Sequence, residues 1–197
     1  MLCGHERWCN PHSPHGGRSG SRLPHGGRSG SRLPHERKDG GTTNVETWEL
    51  IAREQIRDLV AAYAQLADTG RFEALLELFS EDAVLRGGDQ PEAHGRDGIR
   101  AFLAGTASNL KEVTAAPLIR HHVSNLRIEV LSPDRAQGTS YFFVVTDRGP
   151  DHWGRYRDEY VRRGDRWLFR YRRARVDGYA ATSWTAERRA REVAPGT

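Results

Sequence analysis

The stretch LIRHHVSNL, residues 118–126, sets two adjacent histidines in a run that alternates like a β-strand. Imidazole is the side chain that titrates nearest neutrality, so a histidine on the inner face of a strand is a candidate general base. Side chains alternate between the two faces of a strand. Strict alternation groups His122 with Ser124, Leu126, Ile128 and Val130, and His121 with Asn125, Arg127 and Glu129. The expectation is that His122 points to the apolar side and His121 away from it. Taken alone, a buried histidine satisfied by a neighbour is the simpler account of His122.

Asp68 supplies a second group. It ends a helical pattern in YAQLADTGRF, where free carbonyls and the negative end of the helix dipole disfavour a carboxylate. Such an acid tends to pair with a proton donor, and an imidazolium is the natural partner. A solvated helix-terminal aspartate is the simpler alternative. Tyr63 lies five residues earlier, roughly 140° round an ideal helix, so both side chains face one pocket only if the helix end loosens. A tyrosine on an apolar stripe is also ordinary core. Arg173, in phase with Trp167, Phe169 and Tyr171, is a candidate oxyanion donor, or else one arginine among many on a solvated strand.

The elements that must position these groups follow from periodicity. Trp48, Ile51, Ile56, Leu59, Tyr63 and Leu66 recur at helical spacing from Val45 to about Asp68, and Thr69-Gly70 closes the helix. RFEALLELF predicts a second, shorter helix, SEDAVL a brief strand, and GRDGIRAFLAGTASNL a third helix. After Pro117 the period becomes two, and residues 119–131, 138–147, 154–163 and 166–176 predict four strands joined by tight turns. Helices first and an antiparallel meander second is an α+β layout, with helices packed on one face of a curved sheet. Phe72, Phe102, Leu118, Phe142, Trp153, Tyr156, Tyr160 and Trp167 are the aromatic and large apolar candidates for an inner wall.

At 37% hydrophobic the 197-residue chain can bury one ordinary core with sequence to spare. PHGGRSGSRL at 14–23 recurs unchanged at 24–33, and a repeat with so few apolar side chains cannot offset the entropy of ordering it. Residues 1–44 are therefore expected to be a disordered tail, 45–178 the domain, and 179–197 a polar, fraying C-terminal tail. Met1 is the one methionine, and with the repeat following it translation is expected to begin near Val45 from a non-AUG start. The tail holds seven basic and three acidic residues, which leaves 23 of each for residues 45–197. The net charge of +4 thus belongs to the tail and gives no reason to expect specific nucleic-acid binding by the domain. Cys3 and Cys9 lie beside His5, His12 and His15, but the spacing fits no common zinc finger, so no metal is expected. No run reaches the roughly 20 apolar residues of a membrane span, and no signal-peptide core is seen; no membrane association and a cytoplasmic location are the expectation.

In order, YAQLADTGRFEALLELFSEDAVL, GRDGIRAFL, RHHVSNLRIEV and GRYRDEYVRRGDRWLFRYRRARVD resemble the SnoaL-like branch of the nuclear transport factor two-like superfamily over about residues 46–177. The resemblance implies a cone-shaped α+β barrel, in which three helices close one end of a strongly curved antiparallel sheet around a ligand cavity. It also implies a site. Scytalone dehydratase and bile acid dehydratase relatives use a helix-borne tyrosine and aspartate with a strand-borne histidine, which by position fall on Tyr63, Asp68 and His122. A second histidine of scytalone dehydratase corresponds to Val144-Val145-Thr146-Asp147, so a two-histidine mechanism is not expected, although Asp147 could bring a second acid as in the bile acid enzymes. The resulting expectation is a cofactor-independent lyase or isomerase acting on a small, apolar, hydroxylated carbonyl compound: dehydratase, cyclase or double-bond isomerase. The resemblance extends to the small subunit of ring-hydroxylating dioxygenases, a scaffold, and a ligand-binding barrel without turnover is a further alternative. Folds of this kind leave one sheet face apolar, so a homodimer through members of Tyr141, Phe143, Val145 and Val161 is expected.

Overall fold

A computed structural model describes residues 45–88, 90–111, 118–184 and 186. The decapeptide repeats and both cysteines lie outside these residues. Helix α1 (Thr47–Asp68) buries Ala52, Ile56, Leu59, Val60 and Ala64, whereas Trp48 and Ile51, expected on the same stripe, remain exposed. The helix stops as expected at Thr69-Gly70. Gly70 takes φ 67°, and the Gly70 and Arg71 N–H groups return to the carbonyls of Ala67 and Leu66 at 3.2 and 3.0 Å. This closing turn satisfies the last carbonyls and needs the left-handed conformation that glycine adopts without steric cost.

Helix α2 (Phe72–Leu76) is shorter than predicted, because Phe79 already begins strand β1 (Phe79–Gly87). A short strand β2 (Ala93–His94), which the sequence pattern does not predict, precedes helix α3 (Gly95–Lys111). The meander follows as β3 (Ile119–Ser132), β4 (Arg135–Thr146), β5 (Gly149–Arg163) and β6 (Arg166–Tyr179). The strand order is β2-β1-β6-β5-β4-β3, with every pairing antiparallel except β1 on β6. Helix α1 packs on both β6 and β3, which are three positions apart in the sheet. A sheet can touch one helix with both strands only by curling round it. The result is an α+β fold with a curled sheet left unclosed between its edges β2 and β3.

The main core fills the trough. Ile56, Leu59, Val60, Leu75, Leu76, Phe79, Ile99 and Leu103 meet Tyr160, Trp167 and Phe169 of the sheet. A second apolar cluster, Phe142, Val144 and Tyr156 with Ile119, Val123, Ala174 and Val176, belongs wholly to β3–β6. The second cluster is a separate buried patch on the inner face of the meander. Gly154 is part of that face: a Cβ there would stand 2.8 Å from the Phe142 ring and 2.0 Å from the Arg175 carbonyl, so a glycine lets the ring lie flat on the strand.

Two of the sheet's bulges decide which way His121 and Arg172 face. In β3 the register advances from Ser124 opposite Tyr141 to Arg127 opposite Thr139, three residues against two, and Asn125 sits at φ 53°. In β6 the partner of Tyr160 is Phe169 and that of Glu159 is Tyr171, so Arg170 is the extra residue. Each extra residue inverts the alternation beyond it. The chain also stays packed past the expected domain end, since Ser183 and Trp184 are buried. Asp151 explains this, accepting from Ser183 Oγ at 3.0 Å and Trp184 N at 2.9 Å.

Candidate active site

The inner face of the meander can be read row by row from the pairing. One row runs His121, Val144, His152, Tyr179, and the next Val123, Phe142, Gly154, Val176. His121 therefore faces inward, and the expectation for His122 is corrected. The bulge at Asn125 puts His121 and Val123 on the same face as Leu126, Ile128 and Val130, while His122 is exposed on the outer face beside Phe143.

His121 meets Asp68, the last residue of α1. Its Nδ1 lies 2.6 Å from Asp68 Oδ1, and its backbone N–H donates to both carboxylate oxygens at 3.0 and 3.2 Å. β3 is an edge strand, so this N–H has no neighbouring strand to bond, and the carboxylate takes that place. The two side chains are only 17% and 10% exposed, which strengthens their attraction. With Nδ1–H donated to the carboxylate, Nε2 keeps its lone pair and can accept a proton.

Tyr63 also reaches the inner face, without any loosening of the helix. α1 remains regular to Asp68, and the curled sheet meets it on two sides: Asp68 at β3, Tyr63 at β5 and β6. The Tyr63 ring packs edge-on against Phe79, Tyr156 and Phe169.

Arg173 is likewise displaced by a bulge. Beyond Arg170 the inward positions are Arg172, Ala174 and Val176, and Arg173 lines an outer cleft with Arg155, Arg157 and Arg175. The inward arginine is Arg172, fully buried, its guanidinium 4.1 to 4.3 Å from the ring centres of Tyr63, Tyr156 and Phe169. Asp158 clamps it through two hydrogen bonds of 2.9 Å, from Nε and Nη2, and accepts a third from Tyr160 at 3.1 Å. Among the described residues, Arg172 Nη1 is buried with no hydrogen-bond partner. Burial opposes this charge, but the Asp158 carboxylate outweighs it and the guanidinium stays firmly protonated. Asp147 is exposed in the β4–β5 turn and brings no acid to this wall.

Burial raises the pKa of Tyr63, with the Arg172 charge opposing and that of Asp158 adding. Tyr156 is raised by burial first, then by Tyr63, and Asp68 is among the charges that act on it. Burial and Asp158 raise Tyr160. All three are neutral phenols able to donate a proton. A folded pKa above the unfolded one means that the native state holds these protons after the unfolded state has released them, so stability is intact below about pH 10 and falls above it. Three such groups give a limiting slope of about 4 kcal/mol per pH unit. Denaturant titrations from pH 8 to 11 with phenolate absorbance should find Tyr63, Tyr156 and Tyr160 ionising only together with unfolding. Ionisation of all six tyrosines in a native domain would contradict this.

Tyr156, Asp158, Arg172 and His152 were not singled out in these roles from the sequence. His152 pairs with Asp151 at 2.7 Å, so a second histidine does stand on the His121 row, two strands away at roughly 10 Å. Among the described residues no group of three or more His, Cys, Asp or Glu could hold a metal ion, and no helix is long and apolar enough to cross a membrane.

Residues 48–173 match the SnoaL-like domain. Among solved structures, the chain is similar to a candidate scytalone dehydratase from Novosphingobium aromaticivorans, with 24% identity over 68% of this chain and 89% of that one and a TM-score of 0.59. ActVI-ORFA from Streptomyces coelicolor matches at 26% identity over 64% and 98% of the two chains, TM-score 0.57. The hexachlorocyclohexane dehydrochlorinase LinA-type3 from Novosphingobium barchaimii matches at 20% identity over 68% and 91%, TM-score 0.58.

Proposed function

Because the chain belongs to the SnoaL-like domain family, we propose that it is a cofactor-independent lyase or isomerase of small, apolar, hydroxylated carbonyl compounds, with His121 as general base. The observation that carries this reading is the 2.6 Å contact between His121 and Asp68 on the inner wall, beside buried phenols that remain protonated. In this scheme His121 Nε2 removes a proton from the carbon next to the carbonyl, and the electron pair moves onto the carbonyl oxygen. Tyr156 and Tyr63 donate hydrogen bonds to that oxygen or a proton to a departing hydroxyl, which leaves as water. Arg172 holds a fixed positive charge against both phenols and favours negative charge developing there. Ile119 and Val123, half-buried on either side of His121 on the same face of β3, offer apolar surface for the substrate body.

The experiment isolates the first step. A panel of small apolar β-hydroxy ketones in D2O with the full chain, followed by NMR, should give exchange at the carbon next to the carbonyl or loss of water. Saturable binding of such compounds without exchange or elimination would instead mean a ligand-binding barrel.

The outer face supports a homodimer. Tyr141, Phe143 and Trp153 lie there exposed, Phe143 directly opposite Trp153, and form an apolar patch across β4 and β5. Val161, expected in this patch, is buried instead. Sedimentation equilibrium should give twice the monomer mass at micromolar concentration and the monomer mass for Phe143→Glu. A parent chain that is monomeric under these conditions would end the dimer reading.

A further inference from the structure

On the outer face of β5 and β6, Arg155 stands opposite Arg175 and Arg157 opposite Arg173. Like charges in directly facing positions on neighbouring strands repel and destabilise the pairing. Here two such pairs occupy consecutive rows and line a small cleft of about 50 Å³. Asp177 answers only one of the pairs, with 3.2 Å to Arg155 and 3.4 Å to Arg175. Arg157 and Arg173 form no ion pair or hydrogen bond among the described residues.

We propose that this arginine quartet is a binding site for a small phosphorylated compound, with one phosphoryl group held between Arg157 and Arg173 and a second, where present, towards Arg155 and Arg175. The two unpaired guanidiniums spring from strands about 5 Å apart. Each is a planar fork that matches a pair of oxygens. A carboxylate is a single plane with two oxygens and satisfies one fork well. A phosphoryl group directs three oxygens out of a plane and accepts from two forks at once. The extent of the charge sets the size of the ligand. Along β5 the arginines are followed by Glu159, Asp177 closes the other end on β6, and Arg86, opposite Arg173 on β1, is paired with Glu92 at 3.7 Å, so the unpaired charge is confined to two rows and is not a track for a long polyanion. The domain as a whole is neutral, which makes this charge a local feature. Since Tyr156 and Arg172 point to the opposite face, the site is separate from the inner wall.

The test uses the full chain with inorganic pyrophosphate and inorganic phosphate at constant ionic strength, by calorimetry and thermal unfolding. Saturable binding with a raised Tm is expected, pyrophosphate the tighter. Arg157→Gln and Arg173→Gln should each weaken it by about ten-fold or more, while Arg166→Gln, outside the cleft, changes nothing. Without ligand, the two cleft variants should be at least as stable as the parent because a repulsion is relieved. The proposal is overturned if pyrophosphate does not saturate in the millimolar range, or if the cleft variants bind as the parent does. It is overturned equally if affinity keeps rising with the length of a polyphosphate or DNA strand, which would mark non-specific attraction. Loss of the dimer in Arg157→Glu with no pyrophosphate binding by the parent would assign the cleft to a second copy of the chain, and that also overturns it.

Discussion

His121→Ala is expected to lower turnover by about 10²–10⁴-fold, roughly 3 to 5 kcal/mol of barrier, and His122→Ala to leave it unchanged. Strict alternation along the strand predicts the reverse. The two variants therefore separate the bulged strand from the regular one as well as testing the general base. His121→Ala retains the backbone N–H that donates to Asp68, so the tie between α1 and the edge strand survives and lost activity is not lost structure. Asp68→Asn should follow His121→Ala in rate, because the imidazole loses the charge that orients it and stabilises its protonated form. Rates measured by deuterium exchange, with circular dichroism on each variant, are the check. Equal damage from His121→Ala and His122→Ala, or none from His121→Ala, would reduce the contact between Asp68 and His121 to a structural tie.

Asp158→Asn is expected to cost about 3–5 kcal/mol, since it leaves the Arg172 guanidinium buried without a countercharge. For a domain of this size that is a fall in Tm on the order of 10 °C. Arg172→Met in the same chain should recover much of the loss, because an apolar side chain of similar length no longer needs the carboxylate. Activity should not recover with it. The guanidinium that biases Tyr63 and Tyr156 towards developing negative charge would be gone, so the double variant would be folded and slow. A double variant no more stable than Asp158→Asn would mean that the interior around Tyr63, Tyr156 and Phe169 requires the cation for packing as well as for charge.

Much of the architecture was readable in one dimension. The helical stripe from Ile56 to Leu66, the Thr69-Gly70 stop and the change to period two after Pro117 are local signals, and the elements form where they fall. The pairing of Asp68 with a histidine was also foreseeable from a carboxylate at the wrong end of a helix dipole. The identity of that histidine was not. A single extra residue in a strand reverses every side chain beyond it, and its position is set by the partner strand's register and the curl of the sheet. Asn125 left a faint trace, since asparagine tolerates the left-handed conformation found there, but Arg170 left none. The same reversal exchanged Arg172 for Arg173. Curvature decided the rest: it brought Tyr63 and Asp68, pointing roughly 140° apart on α1, to one wall without bending the helix. Composition and period determine which segments become helix and strand because those choices depend on neighbours a few residues away. The face a side chain takes after a bulge, and the partner it meets across a curled sheet, depend on strands tens of residues distant, and only the folded chain settles them.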